Sequence, residues 1–150
     1  MPTTTHEEIR FGGLVIRFLI DGLASGGSVA MFEFEVAPGA KVPAAHSHDA
    51  YEETAYGLEG ILTYTVNGKT MEGRPGDSIL IPRGAVHRFD NLHSAISKTL
   101  AIISPGILTP DYFREIAAIA KAATTAVPPG PPNPAAIAEV MRRHGLTPAP

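Results

Sequence analysis

Hydrophobic and polar residues alternate with a period of two along most of the first hundred positions, which is typical of strands with one buried face. The clearest stretch lies within 28–36 and reads Phe32-Glu33-Phe34-Glu35-Val36. Residues 61–66 alternate in the same way and end at Asn67-Gly68, a dipeptide typical of tight hairpins. Further apolar, β-branched runs occupy 15–20, 78–81 and 95–103. Many short strands separated by Gly and Pro turns predict an all-β sandwich or barrel.

After residue 108 the period becomes helical. Thr109-Pro110-Asp111 is a cap residue, a proline at the first helical position and an acid in the first turn. An alanine-rich helix is predicted over 112–123, and a proline-rich linker follows at 127–134. A second short helix is predicted from Asn133-Pro134 to Gly145. We therefore expect a β-barrel over 1–108 and a C-terminal helical extension over 109–150, packed on the barrel or on a partner subunit.

Composition limits the classes of partner. A chain of 150 residues, 44% hydrophobic and 18% charged, fits one soluble domain with a full core. The net charge is -3 and the basic residues do not cluster, so we expect no nucleic-acid partner. No apolar run approaches the roughly 20 residues of a membrane helix, so no membrane contact is expected. The polar stretch Met1–Arg10 holds no apolar signal core, and the cytoplasm is the default compartment.

Three histidines and one acid form the candidate chemistry of the chain. They are His46 and His48, then Glu53, then His87, and the chain has no cysteine. Three imidazoles and one carboxylate make a ligand set for one divalent transition metal. A spacing of two along a strand puts His46 and His48 on the same face. Glu53 lies five positions past His48, so a bulge or bend is needed to turn it to that face.

The spacing of these residues resembles the two motifs of the cupin superfamily. The first motif is matched by Gly39, His46, His48, Glu53 and Gly60, and the second by Gly76, Pro82, Gly84, His87 and Asn91. The first motif departs at one point, because six residues instead of five separate Gly39 from His46. Glu52 is a rival to Glu53, but its spacing to Gly60 fits the motif less well.

The resemblance implies a small all-β barrel, a double-stranded β-helix or jelly roll, with a metal inside. By the same resemblance the metal ligands are His46, His48, Glu53 and His87. Asn91 is expected to have a structural role at a turn or strand end. Homodimerisation through sheet contacts is also expected, because cupins commonly dimerise in this way.

Such a ligand set leaves one or two positions open on the metal, which distinguishes catalytic from structural sites. It suits Fe, Mn, Ni, Cu or Zn, and Glu53 is the candidate catalytic base. The resemblance is to the quercetin-dioxygenase-like group and implies a dioxygenase-like oxidoreductase acting on a small aromatic or enol substrate. Two alternatives stay open: an isomerase or lyase that uses the metal as a Lewis acid, and a non-enzymatic cupin that binds a small molecule.

Overall fold

The structure is a computed structural model, and it describes residues 6–40 and 44–150. Residues 1–5, part of the polar N-terminus, and 41–43, part of the loop that carries the extra motif residue, lie outside the described residues. The elements in chain order are β1 (Glu8–Phe11), β2 (Leu14–Ile20), β3 (Ala30–Val36), β4 (His46–His48), β5 (Glu52–Glu59), β6 (Leu62–Val66), β7 (Lys69–Gly73), β8 (Ser78–Ile81), β9 (His87–Asp90), β10 (Ser97–Ser104), α1 (Pro110–Thr125), α2 (Pro134–Arg143) and β11 (Leu146–Pro148).

The strands form two antiparallel sheets. The larger sheet has the order β1-β2-β3-β10-β5-β8, and the smaller has the order β11-β4-β9-β6-β7. This arrangement is a jelly roll and confirms the predicted all-β cupin-type barrel with a helical C-terminal part.

The period-two pattern determines which side chains fill the barrel. In β3, Phe32, Phe34 and Val36 are buried, while Glu33 and Glu35 lie on the outer face. There Glu33 pairs with Arg17 at 3.0 Å. Charged residues on the outer face and aromatic residues on the inner face leave one register in which both faces are satisfied.

Asn67-Gly68 forms the predicted hairpin between β6 and β7. Both residues have positive φ, 48° and 78°, which a two-residue hairpin turn requires and which Asn and Gly tolerate.

The C-terminal part begins and ends close to the predicted caps. α1 has Pro110 in its first turn, and α2 begins after Asn133, whose side chain accepts a hydrogen bond from Ala135 N–H at 2.9 Å. The chain then returns to the smaller sheet as β11, where Leu146 pairs in register with His48. The sequence did not predict β11, because three residues that include a proline carry no strand pattern.

Among the described residues, no helix is long and apolar enough to cross a membrane.

Candidate metal centre

Three imidazoles meet on the inner face of the smaller sheet. His46 and His48 lie on β4, and His46 pairs in register with His87 on β9. One ring nitrogen from each of the three lies within 4.8 Å of the others. His48 and His87 are buried, with 2% and 3% of their side chains exposed, and His46 is partly buried. The structure therefore brings together the three histidines that the sequence singled out, and they can hold one metal ion.

A tight turn places His87. In the turn from Pro82 to Ala85, the Ala85 N–H donates to the Pro82 carbonyl at 3.1 Å. Gly84 has φ +80° in this turn, a conformation that favours glycine. The Gly84 N–H also donates to the His48 carbonyl at 2.8 Å, so one turn ties β9 to β4 beside the site.

Glu53 reaches the same interior from the opposite sheet. Its Oε2 lies 3.7 Å from His48 Nε2 and 4.0 Å from His87 Nε2. Between His48 and Glu52 the chain bends and passes from the smaller sheet to the larger one. This change of sheet, and not a bulge within one strand, turns the Glu53 side chain toward the imidazoles.

Glu52 faces the outside of the barrel. Its carboxylate accepts two hydrogen bonds from the Arg83 guanidinium, at 2.6 and 2.9 Å. Neighbouring residues of a strand point to opposite faces, so only one of the two glutamates can face the site. The structure gives that position to Glu53.

Backbone carbonyls orient two of the imidazoles. His46 Nδ1 lies 3.1 Å from the Ala44 carbonyl and His87 Nδ1 lies 2.9 Å from the Ala85 carbonyl. Because a carbonyl only accepts hydrogen bonds, each neutral ring must carry its proton on Nδ1. The lone pair is then on Nε2 and is available to a metal.

His48 is held differently. Its Nδ1 is buried and has no hydrogen-bond partner among the described residues. The ring of Tyr51 stacks on it instead, with 4.4 Å between centroids and 22° between planes. Tyr51 is fully buried, so it supports the site from behind and is not one of the residues that line the cavity.

Burial sets the protonation of the site. It lowers the pKa of His46 to about 4 and that of His48 to about 2, in both cases with a further contribution from the His87 imidazole. Burial also lowers the pKa of His87, partly opposed by its bond to the Ala85 carbonyl. The three rings are therefore neutral at pH 7, the form that binds metal. Burial raises the pKa of Glu53 to about 7, a value suited to a group that takes up and releases protons.

The four side chains open into one small cavity of about 60 Å³. Aromatic and aliphatic side chains form most of its wall, and three of them come from the C-terminal part: Tyr112, Phe113 and Leu146. The helical spacing of Phe113 and Ile116 predicted a buried face on α1 that packs on the barrel or on a partner subunit, and the structure places Tyr112 and Phe113 against the barrel at the site.

The structure confirms the expected role of Asn91. Its buried side chain donates to the carbonyls of Val36 and Ala95, both at 2.8 Å, and accepts from His93 N–H. It ties together the ends of β3, β9 and β10 and lies outside the ligand cluster.

Residues 32–103 match the family model described as the Cupin domain. The match spans 72 of the 150 residues and assigns a cupin domain to this region of the chain. The matched region includes all four candidate ligands and both motifs.

Individual relatives differ in what they are named for. A quercetin 2,3-dioxygenase from Bacillus subtilis (strain 168) is 34% identical over 71 residues, which cover 47% of this chain and 20% of that enzyme. The similarity to this curated relative thus spans a fifth of its length.

Two solved structures share the fold. KdgF from Halomonas sp. has a TM-score of 0.59 at 19% identity, and the match covers 67% of this chain and 86% of that chain. A sugar phosphate isomerase of the cupin superfamily from Silicibacter pomeroyi has a TM-score of 0.54 at 26% identity, and the match covers 61% of this chain and 59% of that chain.

Proposed function

We propose that this cupin binds one divalent transition metal through His46, His48, His87 and Glu53 and acts as a dioxygenase-like oxidoreductase. The observation that carries the proposal is the convergence of three imidazoles and one partly buried carboxyl on a single interior cavity. The donor set fits Fe, Mn, Ni, Cu or Zn, since hard cations such as Mg²⁺ or Ca²⁺ favour more oxygen ligands. The 34% identity to a quercetin 2,3-dioxygenase supports the reaction class.

The substrate in this proposal is a small aromatic or enolic compound whose oxygen atoms would bind the metal. When bound, the metal supplies Lewis acidity and, if it is redox-active, electron transfer to dioxygen. Both atoms of dioxygen enter the product, so the reaction consumes no separate reductant.

Glu53 is the proposed catalytic base. Its Oε2, 3.7 Å from His48 Nε2, would take the proton of the substrate hydroxyl and hold it beside the imidazoles. The apolar side chains around the cavity exclude water. This exclusion strengthens the electrostatic interactions around the transferred proton and protects reactive intermediates from hydrolysis.

Oxygen consumption tests the reaction class. The metal-loaded protein, supplied with candidate chelating substrates, should consume dioxygen in proportion to the substrate lost, and Glu53→Gln should slow this by about 10²-fold or more. Substrate turnover without oxygen uptake would contradict the oxidoreductase proposal.

The main alternative is an isomerase or lyase in which Glu53 moves a proton and the metal stabilises an enolate. The 26% identical sugar phosphate isomerase favours it, as does the pKa of Glu53. Turnover that is unchanged under nitrogen would select this alternative.

We also propose a homodimer formed through the outer face of the larger sheet. A row of side chains crosses this face in register, and none of them is buried: Ile20, Met31, Ile102, Thr54 and Leu80. Leu80 is 61% exposed and Ile20 is 39% exposed. Such an apolar row can pair with its own copy across a two-fold axis.

A further inference from the structure

The helix α1 covers the interior of the barrel at the metal centre. Tyr112 and Phe113, in the first turns of α1, are buried and line the same cavity as the four candidate ligands. Phe113 packs on barrel aromatics, with its ring centroid 5.2 Å from Phe32 and 5.8 Å from Phe18. These two aromatic rings therefore occupy space that the barrel alone would leave to a ligand.

Several contacts fix this helix in place. The Arg114 guanidinium donates to Glu7 at 2.9 Å, which ties α1 to the start of the barrel. Glu115 accepts hydrogen bonds from Arg143 at 2.5 Å and from His144 at 2.8 Å, which ties α1 to the end of α2. Tyr112 in turn packs edge-on against Phe113 and His144. The rings of Tyr112 and Phe113 are thus held by both the barrel and α2.

The remaining space is smaller than an aromatic ring needs. The cavity measures about 60 Å³. A protein cavity that binds benzene measures about 150 Å³. A substrate can therefore reach Glu53 and the imidazoles, with Tyr112 and Phe113 in place, only if the part of it inside the barrel has fewer heavy atoms than benzene.

We infer that Tyr112 and Phe113 are specificity-determining residues that restrict this site to compact acyclic chelators, such as small enols or α-hydroxy and α-oxo carbonyl compounds. This inference rests on the proposed metal site and narrows its substrate class. Of the two proposed substrate types, aromatic and enolic, the size limit favours the enolic one.

Two hydroxamic acids with the same chelating group test the size limit without any turnover. Acetohydroxamic acid carries a methyl group and benzohydroxamic acid carries a phenyl ring. Their affinities for the Co²⁺-loaded protein are measured from the visible absorption of Co²⁺. The wild-type protein should bind acetohydroxamic acid at least tenfold more tightly.

Variants of α1 then show which side chain sets the limit. Phe113→Ala should remove the preference or reverse it, because the space of one ring is added to the cavity. Phe113→Leu is a milder change that should reduce the preference if the alanine variant does not fold. Ile119→Ala is the matched control, since Ile119 lies on the same helix and packs against the core but does not line this cavity. It should keep the wild-type preference.

The outcomes separate this inference from the function on which it rests. Equal binding of both acids by the wild-type protein would overturn the size limit and leave the metal site standing. An unchanged preference in both Phe113 variants, or a loss of preference in Ile119→Ala, would also overturn it. Failure of the protein to take up Co²⁺ would overturn the proposed metal centre and the inference with it, and a Co²⁺-loaded protein that binds neither acid would overturn the inference alone.

Discussion

At the scale of single residues, the three imidazoles are oriented by two different means. His46 and His87 each hold a backbone carbonyl through Nδ1, and each carbonyl belongs to the residue two positions earlier. His48 has no such bond among the described residues and lies against the ring of Tyr51. Its orientation therefore depends on packing, which a substitution at Tyr51 can test.

Tyr51→Leu should weaken metal binding by about tenfold or more, the effect typical of losing a group that orients a metal ligand. Tyr51→Phe should bind metal as the wild type does, because the ring stays and the lost hydroxyl has no hydrogen-bond partner among the described residues. Zn²⁺ competition against a chromophoric chelator measures both affinities. Equal losses in the two variants would show that the hydroxyl, and not the stacked ring, matters.

The adjacent glutamates form a matched pair of variants. Glu53→Gln should lower the metal affinity more than about tenfold, because the carboxylate beside the imidazoles is lost. Glu52→Gln should leave it unchanged, because that carboxylate binds Arg83 outside the barrel. Isothermal titration with Zn²⁺ compares the two proteins. Equal affinities in the two variants would exclude Glu53 as a ligand.

The candidate site residues could be predicted from the sequence better than the groups that surround and support them. Motif spacing favoured Glu53 over Glu52, and the structure turns Glu53 inward. The support of His48 by Tyr51 was not predicted, because ring stacking across a bend between two sheets leaves no periodic signal.

At the scale of elements, Glu115 joins the two C-terminal helices. The Arg143 guanidinium and then His144 hold the pKa of this carboxyl at about 2, below its ordinary value near 4.5. Because the pKa of this carboxyl is lower in the folded state, its charged form stabilises the fold at pH values above about 4.5, its pKa in the unfolded state. That contribution is lost as the pH falls from about 4.5 toward 2.

Glu115→Gln should therefore lower the Tm at pH 6, and the difference from wild type should shrink as the pH falls below about 4.5. Glu139→Gln is the control, since Glu139 is 64% exposed and lies 3.9 Å from Arg143. It should show a smaller change at every pH. Circular dichroism melts across this range provide the measurement, and a Glu115→Gln difference that does not vary with pH would contradict the prediction.

Elements with strong local signals were predictable, and the element without one was not. Alternation gave the main strands, and Pro110 and Asn133 marked the starts of both helices. β11 is three residues long and is defined by its pairing with β4, so nothing local to 146–148 indicates it. This short strand nevertheless shapes the site, because its residue Leu146 lines the cavity.

At the scale of the whole molecule, the largely apolar row on the outer face of the larger sheet predicts a dimer. Sedimentation equilibrium should give about 31.6 kDa, twice the chain mass of 15.8 kDa. Ile102→Lys, at the centre of the row, should shift the mass toward 15.8 kDa. Leu92→Lys alters an exposed leucine in the loop between β9 and β10 and should leave the dimer intact. A wild-type mass near 15.8 kDa would exclude the dimer.

The whole arrangement brings two sheets and one helix around a single cluster of donors, so metal content is its most direct test. Elemental analysis of the wild-type protein, purified from its native host, should find about one transition-metal ion per chain. His48→Ala, prepared in the same way and shown by circular dichroism to be folded, should retain little of it. Full metal occupancy in folded His48→Ala would contradict the proposed site.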